Sequence, residues 1–230
     1  MSMPINVWLR LAKKIGYFLL IGLIDLLQGA VKVTLGIIFA VLLLAWAQQA
    51  NAQIPTDAAK YKHQLRQQAH LIWGLDAPTS TFAAQIHQES HWKATARSHV
   101  GAEGLSQFMP STAVWIGGVY PDLADNAPTN PTWAIRALIR YDKFLIDRIA
   151  AENKCEDMAF ALSAYNGGLG WVNKRKAKSS QPQRCLNATC DINPGITAAN
   201  QRENADYPRR ILLKHEPLYV NAGWGAGSCA

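Results

Sequence analysis

The hydrophobic pattern separates an apolar amino-terminal segment from a longer part with helical periodicity. Residues 15–47 are almost all apolar, basic residues precede them, and Ala50-Asn51-Ala52 follows them in the pattern of a signal-peptidase site. The run 33–47 has about the length of a signal-peptide core, whereas the whole apolar run is long enough to cross a bilayer. We predict that residues 1–52 are a signal peptide, cleaved after Ala52, or an anchor in the inner membrane. Residues 53–230 then form one exported, periplasmic domain.

Beyond residue 58 the sequence predicts helices and few strands. Six segments carry apolar residues at helical spacing or the start and stop signals of a helix: 59–73, Ser80 or Thr81 to Trp92, Pro110 to Gly117-Gly118, Asn130-Pro131 to Ile149, Glu156 to Ala164, and Tyr207 to His215. Asn130 is a capping residue, and Pro131 fits the first turn of a helix. The basic run 174–178 is predicted to be a solvated loop. The exported domain is therefore predicted to be mainly α.

Charge limits the classes of partner. The formal net charge is +7, and four of the 23 Lys and Arg residues and one of the 16 Asp and Glu residues lie before residue 53. The remaining domain stays mildly basic, which suits an anionic polymer such as a cell wall, or a membrane surface. No dense basic face is interleaved with aromatic residues, so we predict no nucleic-acid partner.

All four cysteines lie beyond the apolar segment. An even number of cysteines in an exported chain indicates disulfides, and four cysteines allow three connectivities. We favour Cys185 with Cys190, which closes a small loop, and Cys155 with Cys229. A zinc site is the alternative, although the chain has no C-x-x-C pair.

The sequence His87-Gln88-Glu89-Ser90-His91 raises two hypotheses about chemistry. On a helix, His87 and His91 share a face, as two zinc ligands do, but Glu89 lies about 200° round from them. A metal held there could not readily use Glu89 as its base, and no third ligand is evident. We therefore predict no metal site and interpret both histidines as polar helix surface. The second hypothesis makes Glu89 the acting group, at the end of an apolar helix.

Three blocks of sequence carry a resemblance to a known family. They are Glu89-Ser90 with Ser98, Gly101-Ala102-Glu103-Gly104-Leu105-Ser106-Gln107, Phe108-Met109-Pro110 and Thr112-Ala113; then Ala164-Tyr165-Asn166-Gly167-Gly168; and finally Glu203 to Arg209. In this order they resemble the lytic transglycosylases with a goose-type-lysozyme-like catalytic domain, the soluble-transglycosylase or SLT family. Ser106 replaces the family's methionine and would put a polar residue in the groove wall. Pro208 is unusual in the third block.

The resemblance implies a lysozyme-like (goose-type/SLT) helical domain with a substrate groove, and peptidoglycan glycan strands as the substrate. Most glycosidases use two carboxylates, but the blocks around Glu89 offer no obvious partner aspartate. The family's mechanism, as the resemblance implies, uses one glutamate with help from the muramic N-acetyl oxygen. Glu89 would protonate the leaving oxygen and then deprotonate the muramic 6-hydroxyl, which closes a 1,6-anhydro ring.

The same resemblance implies six substrate-binding residues: Ser98, Gln107, Tyr165, Asn166, Glu203 and Tyr207. Tyr165 would hydrogen-bond and orient the Glu89 carboxyl. Ser98 would hold the acetamido group of the substrate, and Gln107 would bind the sugar beside the cut. Asn166 would hold the turn that carries Tyr165, or touch the glycan. Because Glu89 must be protonated near neutral pH, we expect burial to raise its pKa.

Other functions stay open on the sequence alone. A hydrolytic muramidase of the same fold would use water in place of the 6-hydroxyl. A non-catalytic wall-binding or assembly protein could keep the fold without the reaction. No cofactor is predicted. The setting could be a conjugation or secretion apparatus, a phage lysis system or wall remodelling.

Overall fold

Helices form nearly all the regular structure of residues 53–229, the part of the chain that this computed structural model describes. The α-helices in this part are α1 (Lys62–Trp73), α2 (Thr79–Ser90), α3 (Pro110–Val119), α4 (Pro131–Ile146), α5 (Lys154–Gly167), α6 (Leu169–Lys178), α7 (Ala198–Arg209) and α8 (Glu216–Asn221). Short 3-10 turns occur at Thr56–Tyr61, Pro121–Leu123 and Thr189–Asp191, and a π-helical segment at Arg210–His215. Between residues 53 and 229, β-pairing is confined to isolated bridges in the loop after α2. The mainly α prediction is confirmed.

The predicted export signal or anchor, residues 1–52, lies outside the described residues. Among the residues that are described, no helix is both long enough and apolar enough to cross a membrane.

Capping side chains explain where two helices begin. Asn130 Oδ1 accepts hydrogen bonds from the backbone N–H groups of Thr132 at 2.9 Å and Trp133 at 3.4 Å, at the predicted start of α4. Asn153 caps α5 in the same way, through the N–H of Glu156 at 3.0 Å. Such bonds satisfy N–H groups that have no partner within the helix. The predicted start of α4 is therefore confirmed.

Ser80 and Thr81 do not cap α2, contrary to the prediction. The helix starts at Thr79, and both residues lie fully buried inside it. Ser80 Oγ donates to the carbonyl of Gly225 at 2.7 Å, and Thr81 Oγ1 donates to Glu216 Oε2 at 2.5 Å. Their hydroxyls attach the carboxyl-terminal segment to α2, which no local pattern could indicate.

The basic run 174–178 is helical, not a loop, because it forms the second half of α6. Arg175 within it is fully buried, and its Nη2 donates to Gln201 Oε1 at 2.9 Å. The last predicted helix also differs, since α7 begins at Ala198 and contains Pro208. Proline has no N–H and crowds the preceding turn, so a widened π-helical segment directly after it is a natural adjustment.

Both favoured disulfides are present. Cys155 pairs with Cys229, and Cys185 pairs with Cys190. The first bond joins the start of α5 to the carboxyl-terminal segment. Buried Glu216 holds the same segment, since its carboxylate accepts from the N–H of Cys229 at 3.0 Å.

Helix packing brings the ends of α2, α5 and α7 together. α5 packs against α4, α6 and α7, while α2 packs against the π-helical segment and α8. The core between them is apolar and aromatic, and Trp92, Trp133 and Trp224 are buried in it. Trp115, at 42%, is the most exposed of the described tryptophans.

Candidate active site

Glu89 lies in the last turn of α2, and the residues after it fix that turn. The helix ends at Ser90, and His91 adopts the left-handed conformation with a φ of 51°. Ser90 Oγ donates to the carbonyl of Leu105 at 2.8 Å, which attaches the turn to the loop before α3. The Glu89 side chain is partly buried.

Tyr207, rather than Tyr165, hydrogen-bonds the Glu89 carboxyl. Tyr207 Oη donates to Glu89 Oε1. Tyr165 Oη donates to the carbonyl of Ser106 at 2.7 Å, so the expected bond from Tyr165 to Glu89 is wrong. Both phenols are nevertheless near the carboxyl: burial first, and then the charge of Glu89, raises the pKa of each.

The environment of Glu89 favours its protonated form. Burial raises the pKa of Glu89 to about 8, although the Tyr207 hydrogen bond lowers it, and the charge of Glu203 raises it further. A pKa near 8 keeps most of the carboxyl protonated at neutral pH, as a general acid requires.

The two histidines of the motif lie in different environments. His91 is exposed, as predicted, but His87 is buried, so the prediction of polar surface is wrong for it. His87 Nδ1 lies 3.2 Å from Tyr219 Oη, and the ring centroids of His87 and His215 are 4.2 Å apart. Burial lowers the pKa of His87 to about 4. Within residues 53–229, no group of three or more metal-ligating side chains is found.

The loop between α2 and α3, which carries Ser98 and Gln107, is closed by its own hydrogen bonds. Ser98 Oγ accepts from the N–H of Ala102 at 2.9 Å, and Gln107 Nε2 donates to the carbonyl of Gly104 at 2.9 Å. Gly104 has a φ of 77°, and a Cβ there would lie 1.8 Å from the carbonyl oxygen of Pro128. Glycine is therefore required at this position. The sugar contacts of Ser98 and Gln107 stay predictions.

Ser106 anchors this loop to α4 and does not line a groove. It is fully buried, and its Oγ donates to the carbonyl of Ala134 at 2.9 Å. The expectation of a polar residue in the groove wall is therefore wrong.

Two pockets lie beside the end of α5. The first, of about 60 Å³, is lined by Gln107 and Tyr165 among others. The second, of about 280 Å³, is lined by Asn166 and Glu203 among others. Tyr165 and Asn166 are consecutive, so adjacent residues of the chain line the two pockets. Ser98 lines neither of them.

The Transglycosylase SLT domain family matches residues 67–186, slightly more than half of the chain. The chain belongs to this family. It is 30% identical over 122 residues to membrane-bound lytic murein transglycosylase F of Shewanella denitrificans, covering 53% of this chain and 23% of that protein. The Aeromonas salmonicida protein of the same name is 30% identical over 147 residues, covering 63% and 26%.

The fold of this SLT domain also matches a solved structure. The 70 kDa soluble lytic transglycosylase of Escherichia coli superposes with a TM-score of 0.54 at 23% identity, over 74% of this chain and 25% of that one. The expected SLT lysozyme-like fold is confirmed. The chain spans about a quarter of the length of the relatives that it matches.

The predicted site residues of this SLT domain lie both inside the family match and beyond its end. Glu89 and Tyr165 lie inside the matched range, whereas Glu203 and Tyr207 follow it. The hydrogen bond from Tyr207 to Glu89 joins the two parts. The third block, despite its proline, therefore supplies the direct contact with the Glu89 carboxyl.

Asn204, which the motif comparison did not single out, holds α5 against α7. Its Nδ2 donates to the carbonyl of Ser163 and to Asn166 Oδ1, both at 2.9 Å, and its Oδ1 accepts from Ser163 Oγ at 2.9 Å. A Cβ at Gly167 would lie 2.4 Å from Asn204 Nδ2, so glycine permits this approach. The contact aligns the helices that carry the two site tyrosines.

Asp142 is a second residue that the motif comparison missed. It is a fully buried carboxyl on α4, and it interacts electrostatically with Glu89. A pattern in the sequence could have found it, since it lies three and four residues from Leu145, Ile139 and Leu138 on the apolar face of the helix.

Proposed function

We propose that this SLT domain is a peptidoglycan lytic transglycosylase, which cuts the bond from N-acetylmuramic acid to N-acetylglucosamine without consuming water. One observation carries the proposal: a single glutamate, Glu89, is held by a buried tyrosine and has its pKa raised to about 8. The relatives, which are named as lytic murein transglycosylases, support the same reaction.

In the first step, protonated Glu89 donates its proton to the glycosidic oxygen. The bond from the muramic anomeric carbon to that oxygen breaks, and the glucosamine unit leaves with a new hydroxyl. The muramic N-acetyl oxygen stabilises the positive anomeric carbon, which removes the need for a second protein carboxylate.

In the second step, the Glu89 carboxylate takes the proton of the muramic 6-hydroxyl. The freed oxygen bonds to the anomeric carbon and closes the 1,6-anhydro ring, and Glu89 regains its starting protonation. One proton leaves and one returns, so the same residue can act as acid and then as base.

The other predicted site residues have supporting roles in this proposal. Tyr207 orients the Glu89 carboxyl and stabilises its ionised form between the two steps. Gln107 and Tyr165 bind sugar in the smaller pocket, and Asn166 and Glu203 bind it in the larger one. Ser98 holds the acetamido group from the neighbouring loop.

The test is mass spectrometry of the muropeptides that the purified chain releases from isolated sacculi. Products with 1,6-anhydro ends, one water lighter than reducing-end products, are expected. Glu89→Gln should abolish them, because the amide can neither give nor take the proton. Glu152→Gln, a change at an exposed residue outside both pockets, is the matched control and should act like the wild type.

Two results would contradict the proposal. Reducing-end products would indicate a muramidase that uses water. No products from folded protein that binds glycan would indicate a wall-binding or assembly role.

We further propose that the domain acts in the periplasm, delivered by residues 1–52 as a cleaved signal or as an inner-membrane anchor. A wall-opening role for a conjugation or secretion apparatus, or for phage lysis, would fit this location. Fractionation of cells that express the tagged chain tests the location, and the amino terminus of the recovered protein distinguishes cleavage from anchoring.

A further inference from the structure

Two buried oxygens on one pair of side chains have no partner. Gln85 on α2 and Asp142 on α4 are both fully buried, and Gln85 Nε2 lies 3.4 Å from Asp142 Oδ1. Gln85 Oε1 and Asp142 Oδ2 each lack a hydrogen bond to any described residue. Buried polar atoms are nearly always paired. Of the four buried side-chain atoms without a partner among the described residues, two belong to this one contact.

No described cation compensates a charge on Asp142. The one hydrogen bond to its carboxyl within residues 53–229 comes from Gln85. The titratable groups that interact with it electrostatically lie on α2, α4, α5 and α7, and all are acids or phenols: Glu89, Tyr141, Tyr165 and Tyr207. An ionised carboxylate without a positive partner is unfavourable in such a place.

A single proton on Asp142 Oδ2 would satisfy both unpaired oxygens. If Asp142 is neutral, its Oδ2–H can donate to Gln85 Oε1 while Gln85 Nε2 donates to Oδ1. The two planar groups then form a cyclic pair with two hydrogen bonds, and no buried acceptor lacks a donor. Burial also raises the pKa of Asp142 well above its ordinary range, and the charge of Glu89 raises it further.

The pair of Gln85 and Asp142 lies next to the predicted site. Gln85 lies four residues before Glu89 on α2, so the two side chains are neighbours on one face of the helix. The pair therefore links the turn that carries Glu89 to α4, from inside the core.

We propose that Asp142 is a positioning residue, kept as a neutral carboxylic acid that pairs with the Gln85 amide and holds the last turn of α2 in place. Asp142 is thus not the missing second carboxylate of a two-carboxylate glycosidase. The neutral state of Asp142 does not depend on the proposed function. Only the effect of Asp142 on turnover rests on the proposed function.

The protonation state can be measured without any activity. Aspartate labelled at the carboxyl carbon is incorporated into the full chain, and the Asp142 signal is assigned by its loss in Asp142→Asn. The signal is expected at the position of a neutral carboxyl through pH 7, in the wild type and also in Glu89→Gln, where the neighbouring carboxyl no longer titrates. An Asp142 signal at the ionised position at pH 6 in Glu89→Gln would overturn the proposal.

Activity on sacculi then tests the positioning role. Asp142→Ala removes both hydrogen bonds and is expected to lower the rate of anhydro-product release by at least about tenfold. Asp142→Asn can donate to Gln85 Oε1 and accept from Gln85 Nε2, so it should recover most of that loss and leave the alkaline limb of the pH profile in place.

Equal loss in Asp142→Asn and Asp142→Ala, with both proteins folded, would show that the carboxyl itself takes part and would refute the inference. Absence of activity in the wild type would count against the proposed function alone, since the labelled carboxyl still reports the protonation of Asp142.

Discussion

Replacing Tyr207 with phenylalanine tests how the site sets the proton affinity of Glu89. The change removes one hydroxyl, the donor to Glu89 Oε1, and leaves the ring in its buried place. A donor stabilises an ionised carboxylate more than a neutral carboxyl, so its loss favours the protonated form. The pKa of Glu89 should therefore rise in Tyr207→Phe.

The size of the shift follows from the difference between two kinds of hydrogen bond. A bond to a charged group contributes about 1.5–3 kcal/mol, and a neutral one about 0.5–1.5 kcal/mol. A difference of roughly 1–1.5 kcal/mol corresponds to about one pKa unit. Starting from a pKa of about 8, Glu89 should titrate at about 9 in the variant.

The assay is the pH dependence of kcat/KM on soluble glycan strands. Activity requires protonated Glu89, so the wild-type rate should fall as the pH rises through about 8. In Tyr207→Phe this alkaline limb should move up by about one unit, while the maximal rate falls because the carboxyl is less well oriented.

Tyr219→Phe is the matched control. It also loses a buried phenol hydroxyl, which contacts Trp92 and His87 but not Glu89. Its alkaline limb should stay in place even if its stability falls. A limb that stays fixed or moves to lower pH in Tyr207→Phe would refute the reasoning about Glu89.

Three further predictions concern stability, measured by urea unfolding. The folded pKa of Glu89 is raised from 4.5 to about 8, so between these pH values the folded state binds more protons than the unfolded state. The free energy of unfolding therefore falls as the pH rises through this range, by up to about 5 kcal/mol. Glu89→Gln should remove this loss. Burial lowers the pKa of His87 from 6.5 to about 4, so between these pH values the unfolded state binds the extra proton. The free energy of unfolding should therefore fall by up to about 3 kcal/mol as the pH drops through this range. The fall should be less steep in His87→Gln. Cys155 and Cys229 are 74 residues apart, so replacing both with serine should cost about 4 kcal/mol by release of loop entropy.

Each of these has a contradicting result. A pH-independent difference between Glu89→Gln and the wild type would mean that Glu89 titrates normally. An unchanged acid slope in His87→Gln would mean that other groups cause it. Cys185 and Cys190, only five residues apart, give the control for the third: opening that bond should cost only about 2 kcal/mol, and equal losses would contradict the entropic explanation.

Local chemistry made several helices predictable. Asn130 and Pro131 made the start of α4 predictable, because the capping side chain and the fixed proline φ both act within one turn. The even number of cysteines, together with the predicted export segment, likewise indicated disulfides. The run 174–178 was predicted wrongly because a run of charges is compatible with a helix as well as with a loop. Packing against the rest of the chain, which buries Arg175, selects the helix.

The sequence by itself singled out Glu89 as the predicted acting carboxyl, because the glutamate and the glycine-containing loop after it resemble, in order, the motifs of the SLT family. The tertiary structure decided which tyrosine touches it. Tyr165 and Tyr207 are 76 and 118 residues away from Glu89 along the chain. No local pattern ranks two such distant partners, and the packing of α5 on α7 through Asn204 places one phenol on Glu89 and the other on Ser106.

For Asp142, too, the sequence predicts one property and the tertiary structure decides the others. Its place on the apolar face of α4 can be recognised from sequence spacing, since periodicity depends only on the geometry of a helix. Its pairing with Gln85 cannot, because α2 and α4 meet only in the folded core. Its protonation also depends on that core, where burial and the absence of a nearby described cation disfavour the charge. Sequence determines which groups lie on each helical face, and tertiary packing decides which of them meet and how strongly they hold a proton.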